Sequence, residues 1–247
     1  MTDLADSRTG FEKWRDGLAR ARDDDTWDAW DCEIRAVVNE YNRHLATTPG
    51  FMPLDWHVIK AMIWVESGPH KEAWASNPMQ IGVSADPGLG AFLSGNEGGD
   101  LILPIAWKGV VTETSARAIP SHSLRAGVGY LLMRMANYAH RSIFDPDPRI
   151  YHIAVKAGDS LDRIARTHGS TTEALQQLNP GATTLRPGQM IKLRKARVRR
   201  VITGWHALTP SRIAIRYNSM RRDPTYIEKL TYALDLVFFR KEARCAQ

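Results

Sequence analysis

The feature that most constrains the fold of this chain is a change of hydrophobic period near residue 150. Before it, apolar residues recur at helical spacing, whereas residues 151–155 alternate between apolar and polar as in a β-strand. Two short helix patterns follow, starting at Ser160 and Thr171, and a second strand pattern covers residues 190–193. A helical texture then returns. The sequence therefore predicts a small strand, helix, helix, strand domain, residues 149–196, inserted in a mainly helical one.

The remainder of the chain is predicted to be helical, with one long irregular stretch. The predicted helices run from Thr26 to Leu45, from Pro53 to Gly68 and from Ser121 to Arg141, with two more starting at Thr209 and Thr225. Residues 75–109 are instead rich in Gly, Pro, Asn and Ser. Because a loop of this length in a compact domain is usually functional, we expect part of a site there.

Positive charge is concentrated in the C-terminal part of the chain. Lys and Arg outnumber Asp and Glu by 33 to 27, which gives a net charge of +6. The basic residues concerned are Lys192, Arg194, Lys195, Arg197, Arg199, Arg200, Arg212, Arg216, Arg221 and Arg222. An anionic partner is expected, but no nucleic-acid-binding fold or interleaved aromatic pattern is visible, so nucleic acid is not predicted. The interpretations left are an acidic polymer, an anionic membrane surface and a solvated face.

Three further features of the sequence concern metal binding and cellular location. Cys32 and Cys245 form neither a disulfide framework nor a metal-ligand spacing, so both are predicted to be free thiols. The eight histidines show no metal-binding spacing, and we expect no metal and no other cofactor. Neither a secretory signal nor an integral membrane segment is predicted. We therefore expect synthesis in the cytoplasm, and a target outside it would require export by another system.

Residues 151–193 resemble a LysM module, a small domain that binds GlcNAc-containing glycans. The matching features are the strand of residues 151–155, the turn of residues 158–161, the Leu-Asn-Pro of residues 178–180 and the Pro-Gly-Gln of residues 187–189. The resemblance implies a shallow groove between the loop after the first strand and the loop after the second helix. Its expected lining residues are Gly158, Asp159, Ser160 and Leu161 on one side, and Asn179, Pro180 and Gly181 on the other. The alternative for each residue is a purely conformational role in a turn.

Glu66 is a catalytic candidate on helical geometry. It lies seven residues after Ile59 and three after Ile63, on the same face as the apolar stripe of its helix. The carboxyl should therefore point inward or into a cleft, at the negative end of the helix dipole. Desolvation and the dipole both favour the protonated form, as a general acid requires. The alternative is an ordinary glutamate at a frayed helix end.

Four segments that begin with the Glu66 region resemble, in order, the lytic transglycosylases of the soluble, goose-lysozyme-like superfamily. They are AMIWVESG at 61–68, NPMQIG at 77–82, GVGYLLMRM at 127–135 and IAIRYNSM at 213–220, with a Tyr-containing helix following from Thr225. The loop has Asn77-Pro78 in place of the usual Gly-Leu, a departure that would alter the cleft floor. The residues that the resemblance assigns to substrate binding are Ser67, Met79, Gln80, Tyr130, Tyr217, Asn218 and Tyr226.

The two resemblances together imply a mainly α fold, in which a lysozyme-like helical catalytic domain is interrupted by a small βααβ LysM domain. The expected boundaries are 1–25 for an N-terminal extension, 26–148 with 197–247 for the catalytic domain, and 149–196 for the LysM domain. The implied activity is a peptidoglycan muramidase that cleaves the MurNAc-β-1,4-GlcNAc bond, with Glu66 as general acid and base. As in lytic transglycosylases, attack by the MurNAc 6-hydroxyl would leave a 1,6-anhydro end.

Three alternatives stay open at this stage. A lysozyme-type hydrolase of the same bond would need a second carboxylate, about 6.5–9.5 Å from the first in an inverting enzyme. The acidic residues available in or near the irregular stretch are Asp86, Glu97, Asp100 and Glu113. The chain could instead cleave chitin, or bind peptidoglycan without catalysis.

If it is catalytic, we expect an antibacterial effector or a phage-type lysin. An effector would have secretion machinery and an immunity protein as partners.

Overall fold

A computed structural model describes residues 8–68, 71–83, 87–182, 184–218, 224–238 and 245. The chain divides into two compact units, and the second interrupts the first in sequence. The helical unit comprises Met1–Asn137 and Thr203–Gln247, and the inserted unit comprises Tyr138–Ile202. The inserted unit is longer than the predicted LysM domain of residues 149–196, because it also takes in a flanking strand on each side.

The architecture is mainly α, as predicted. The α-helices are α1 (Gly10–Ala21), α2 (Asp31–Leu45), α3 (Trp56–Glu66), α4 (Lys71–Ser76), α5 (Gly88–Leu93), α6 (Gly99–Ile102), α7 (Glu113–Ala118), α8 (Pro120–Met135), α9 (Leu161–His168), α10 (Thr172–Leu178), α11 (Pro210–Arg216) and α12 (Tyr226–Phe238). The strands are β1 (Ala136–Phe144), β2 (Tyr151–Ala154), β3 (Met190–Leu193) and β4 (Ala196–Trp205), and two 3-10 turns cover Asp25–Asp28 and Ile105–Trp107. They form two two-stranded sheets, β1 with β4 and β2 with β3.

Helix α3 lies at the centre of the helical unit. Its residues from Ile59 to Trp64 are all buried, and it packs against α2 and along α12. A helix that is apolar on most of its faces has to be covered by neighbours on most sides. Asp55 begins α3 by accepting a hydrogen bond from the backbone N–H of His57, and Glu66 is its last residue. The packing of α3 therefore determines where the Glu66 carboxyl lies.

The N-terminal residues are part of the helical unit. Residues 1–25 were predicted to be an extension outside the catalytic domain, but they contain α1, which packs against α12. Leu18 is fully buried, and the ring of Trp14 meets the ring of Tyr232 edge-on, with 6.2 Å between centroids. The capping box of Thr9 and Glu12 begins this helix. The predicted helices were taken from apolar spacing that starts after Thr26, so they did not include α1.

The third predicted helix is shorter than expected. We predicted it to continue to Arg141, whereas α8 ends at Met135 and the chain continues as strand β1. Strand β1 pairs with β4, which begins more than fifty residues later and which the sequence analysis did not predict. Local apolar spacing carries no signal for a partner so distant, and backbone pairing with β4 decides the conformation of residues 136–144.

The inserted unit contains the predicted βααβ order. Strands β2 and β3 pair in antiparallel register, from Tyr151 opposite Leu193 to Ala154 opposite Met190. The hydroxyls of Ser160 and Thr171 cap α9 and α10. The small core of this unit consists of Val155, Ile164, Ala165, Leu175, Ile191 and Leu193.

The prediction of two free thiols is wrong, because Cys32 and Cys245 form a disulfide. Cys32 lies in the first turn of α2, and Cys245 follows α12. Helices α2 and α12 both pack against α3, so tertiary packing brings together two residues 213 positions apart, with 5.4 Å between their Cα atoms. Spacing along the sequence contains no information on such a pair.

Candidate functional site

Glu66 stands at the C-terminal end of α3 in a partly buried position. The buried Tyr226, the first residue of α12, donates its phenolic O–H to Glu66 Oε1 at 3.1 Å. Because α12 packs along α3, this contact is fixed by the two helices rather than by a surface loop. The predicted catalytic carboxyl and one of the predicted substrate-binding tyrosines are therefore direct partners.

The loop after α4 is held against Glu66 by two hydroxyl groups. Ser67, the residue after Glu66, is buried and donates its O–H to the carbonyl of Pro78 at 2.6 Å. Tyr217, at the end of α11, donates its O–H to the carbonyl of Met79 at 3.3 Å. Ser67 and Tyr217, both predicted site residues, thus bind consecutive carbonyls of the predicted loop. Both hydroxyl groups have partners in the protein backbone.

Asn77 organises this loop, a role that the sequence analysis did not assign to it. Its side chain donates from Nδ2 to the carbonyl of Ile81 at 2.9 Å and accepts at Oδ1 from the Ile81 N–H at 3.2 Å. The buried Ser123 of α8 donates to the same Oδ1 at 2.6 Å. The signal for Asn77 was visible as the departure from the Gly-Leu pattern, because Asn side chains commonly bond their own turn.

Gln80 has a strained backbone at the tip of the loop. Its φ is +48°, the one positive φ at a residue other than glycine among the described residues. Its Nε2 donates to the carbonyl of Asn77 at 2.8 Å. Backbone strain of this kind is found at ligand-binding positions, so the conformation of Gln80 agrees with a site here. The side-chain nitrogen of Gln80 is already bound within the loop, to the Asn77 carbonyl.

Helix α8 supports the loop from below. Met79 is buried against Gly127, where an added Cβ would lie only 2.6 Å from the Met79 Cβ. Three residues further along α8, the ring of Tyr130 packs at 5.4 Å from the ring of Tyr217. Asn218 is buried beside Tyr217. Contacts therefore link the described residues of the four resembling segments to one another, and Tyr226 joins them through Glu66.

Three of the four acidic residues considered as a second carboxylate are among the described residues. Glu97 pairs with Arg134 at 3.1 Å, and Glu113 pairs with Arg117 at 3.3 Å. Asp100 and Glu113 both line a cavity of about 440 Å³ that is also lined by Phe92 and Lys108. Asp86 lies outside the described residues.

The predicted LysM groove residues mostly have conformational roles in the inserted unit. Gly158 has a φ of +85° in the turn before α9, Asp159 accepts from the N–H of Lys156, and Ser160 caps α9. Leu161 packs against the small core. The Asn179 amide ties α10 to β3, because it donates to the carbonyls of Leu175 and Lys192 and accepts from the Lys192 N–H. Pro180 and Gly181 are exposed, so this turn presents backbone rather than long side chains.

The described residues contain neither a cluster of metal ligands nor a helix that could span a membrane. No group of three or more His, Cys, Asp and Glu side chains is arranged there to hold a metal ion. In the same part of the chain, none of the helices has the length and apolar character needed to span a membrane.

Comparison with known proteins identifies the inserted segment. Residues 153–194 match the family model of the LysM domain, which confirms that prediction and indicates peptidoglycan binding. No curated protein and no solved structure matches the chain.

Proposed function

We propose that the helical unit cleaves peptidoglycan glycan strands at the MurNAc-β-1,4-GlcNAc bond, with Glu66 as general acid and base. The observation that carries this proposal is the position of Glu66, which accepts a hydrogen bond from Tyr226 and adjoins a loop that Ser67 and Tyr217 hold by consecutive carbonyls. The LysM domain supports the choice of substrate, since it lies within the sequence of the helical unit. A lysozyme-like fold of this unit belongs to the same proposal.

The proposed reaction needs a single carboxyl. Glu66 donates its proton to the glycosidic oxygen, the bond to C1 of MurNAc breaks, and positive charge develops on C1 and the ring oxygen. The MurNAc 6-hydroxyl then attacks C1 and returns its proton to Glu66, which leaves a 1,6-anhydro end and restores the enzyme. Acid and base are the same residue in turn.

Tyr226 and the loop position these groups in the proposed mechanism. A carboxyl that accepts a hydrogen bond at Oε1 is held in one orientation and can carry its transferable proton at Oε2. Tyr217 acts mainly through the loop, since its hydroxyl binds the Met79 carbonyl. Gln80 and Asn218 are proposed to recognise the amide groups of the sugars from the loop and the end of α11.

The disulfide supports action outside the cytoplasm, because such bonds form and persist in oxidising compartments. We propose delivery to the cell wall or periplasm as an antibacterial effector or a phage-type lysin. An effector of this kind would require secretion machinery, and the producing cell would require an immunity protein.

Digestion of purified peptidoglycan tests the catalytic proposal. We expect the wild-type protein to release muropeptides that are lighter by one water than reducing-end products. Glu66→Gln should lower the rate by about 10²-fold or more, because removal of a general acid has effects of this size. The control is Glu228→Gln, an exposed glutamate of α12, which should retain full activity.

The products also separate the alternatives. Reducing-end products would show a hydrolase of the same bond, and release from chitin in place of peptidoglycan would show a chitinase. Equal activity of wild type and Glu66→Gln would reject Glu66 as the acid. If the wild type binds peptidoglycan and releases nothing, the chain is a binding protein.

A further inference from the structure

The charged residues of the two-stranded sheet of β1 and β4 are all basic. The sequences of the two strands, ANYAHRSIF and ARVRRVITGW, contain four arginines and a histidine but no aspartate or glutamate. Sheets that are exposed to water normally carry both signs of charge, since like charges on facing strands are destabilising. The excess of arginine in β1 and β4 is therefore a feature to be explained.

Two hydrogen bonds give the register of this sheet. At one end, the N–H of Asp145 donates to the carbonyl of Lys195, and at the other the hydroxyl of Thr203 donates to the carbonyl of Asn137. Residue numbers rise in one strand as they fall in the other, so the strands are antiparallel. Counting from the pair Asp145 and Lys195 places Arg141 directly opposite Arg199.

The register also assigns the side chains to two faces. Because side chains alternate along a strand, Arg197 lies on the same face as Arg199, two residues away, and hence beside Arg141. All three arginines are exposed. The opposite face carries the buried Ala196 and Ile202 together with Val198, which is 62% exposed. We call the exposed Arg141, Arg197 and Arg199 the arginine face.

Neither strand supplies an acidic residue to the arginine face. Cβ atoms of directly opposite residues lie about 5 Å apart, so Arg141 and Arg199 are two like-charged side chains that start from neighbouring positions. Asp145, just beyond β1, is a weak partner of Arg197, with 3.8 Å between the charged atoms and a 70% exposed arginine side chain. An external anion between Arg141 and Arg199 would relieve the repulsion between these like charges.

We propose that the arginine face binds the phosphate groups of a linear anionic polymer of the cell envelope, linked by phosphodiesters. Arginine donates hydrogen bonds in a planar fork that fits phosphate oxygens, and two opposed guanidinium groups can bind one phosphate from both sides. Arg197 lies about 7 Å along the strand from Arg199, so it can reach a neighbouring phosphate of an extended chain. The contact is separate from the catalytic proposal and does not depend on Glu66.

Binding of fluorescently labelled poly(glycerol phosphate) to the full chain tests the proposal. The double variant Arg141→Gln/Arg199→Gln should bind about tenfold more weakly than wild type, and wild-type binding should weaken steeply with salt. The control with the same loss of charge is Arg20→Gln/Arg43→Gln, two exposed arginines of α1 and α2, which should bind nearly as wild type does. Thermal melting checks that both variants are folded, and binding to insoluble peptidoglycan should be retained in both.

Three results would overturn the proposal. The first is equal weakening by the two double variants, which would show an effect of net charge alone. The second is binding of polyglutamate that is as tight as binding of poly(glycerol phosphate) and is weakened by Arg141→Gln/Arg199→Gln. This result would show that phosphate is not selected. The third is that phosphatidylglycerol vesicles bind, that Arg141→Gln/Arg199→Gln weakens this binding, and that poly(glycerol phosphate) does not bind. This result would make a lipid surface the partner. Loss of lytic activity by Glu66→Gln bears on none of these, so the two proposals fail separately.

Discussion

At the scale of single residues, the candidate site depends on hydroxyl groups that bind other parts of the protein. Tyr226 binds the Glu66 carboxyl, while Ser67 and Tyr217 bind the loop carbonyls beside it. Hydrogen bonds to a charged or chargeable group contribute about 1.5–3 kcal/mol each. Removing such a hydroxyl changes few packing contacts, so these residues can be tested by single-atom substitutions.

Tyr226→Phe should lower kcat on peptidoglycan by about tenfold or more and leave KM nearly unchanged. The reason is that the substitution removes the group that orients Glu66 without removing a contact to the distant parts of the glycan. Steady-state kinetics on a soluble glycan fragment would measure the effect. Tyr232→Phe is the matched control on the same helix, because Tyr232 packs against Trp14 rather than Glu66. A similar loss in both variants would contradict the assignment.

At the scale of elements, the position of the loop depends on how closely α8 approaches it. Gly127 allows the buried Met79 to rest on the helix, and Ser123 of the same helix binds Asn77. A glycine inside a helix costs stability relative to alanine, so its presence here is explained by the close contact. The loop and α8 therefore form one structural element of the site, although they are more than forty residues apart.

Gly127→Ala should destabilise the helical unit by about 1–3 kcal/mol and reduce lytic activity. The added methyl group would lie 2.6 Å from Met79 Cβ, an atom next to the backbone that cannot move unless the loop moves. Denaturant unfolding and zymography would measure the two effects. Gly17→Ala in α1 meets no atom within 4 Å and should be neutral or slightly stabilising. A stable and fully active Gly127→Ala variant would show that the loop tolerates displacement.

At the scale of the whole molecule, the disulfide links two distant parts of the helical unit. It joins the first turn of α2 to the segment after α12, the helix that supplies Tyr226. A bridge between residues 213 positions apart restricts the unfolded chain strongly, by roughly 5 kcal/mol on the chain-entropy estimate. Reduction should therefore weaken the unit that contains Glu66.

Reduction, or the double variant Cys32→Ser/Cys245→Ser, should lower the Tm of the helical unit by roughly 10–20 °C. Differential scanning calorimetry with and without a phosphine reductant would measure the shift. The double variant serves as its own control, since the reductant should not alter its Tm. An unchanged Tm on reduction of the wild-type protein would contradict a stabilising role for the bridge.

Local signals explain what could be predicted. The LysM domain was identifiable because its strands, turns and caps lie within about 45 residues and each leaves a short pattern, such as Ser160 before α9. The apolar run of α3 likewise predicted a helix that ends near Glu66, although α3 begins at Trp56 after the Asp55 cap rather than at the predicted Pro53. The set of candidate site residues came from the resemblance, and their proposed roles await the experiments above.

Long-range contacts explain what could not be predicted. The pairing of β1 with β4, the Cys32–Cys245 bridge and the contact of Tyr226 with Glu66 each join residues far apart in the chain. By itself the sequence determined the helical and strand periodicities, the caps and the LysM pattern, because these depend on neighbours a few residues away. Only the tertiary structure decided which distant residues meet, because the disulfide and the Tyr226 contact depend on the packing of α2 and α12 against α3, and the sheet depends on backbone pairing between distant strands.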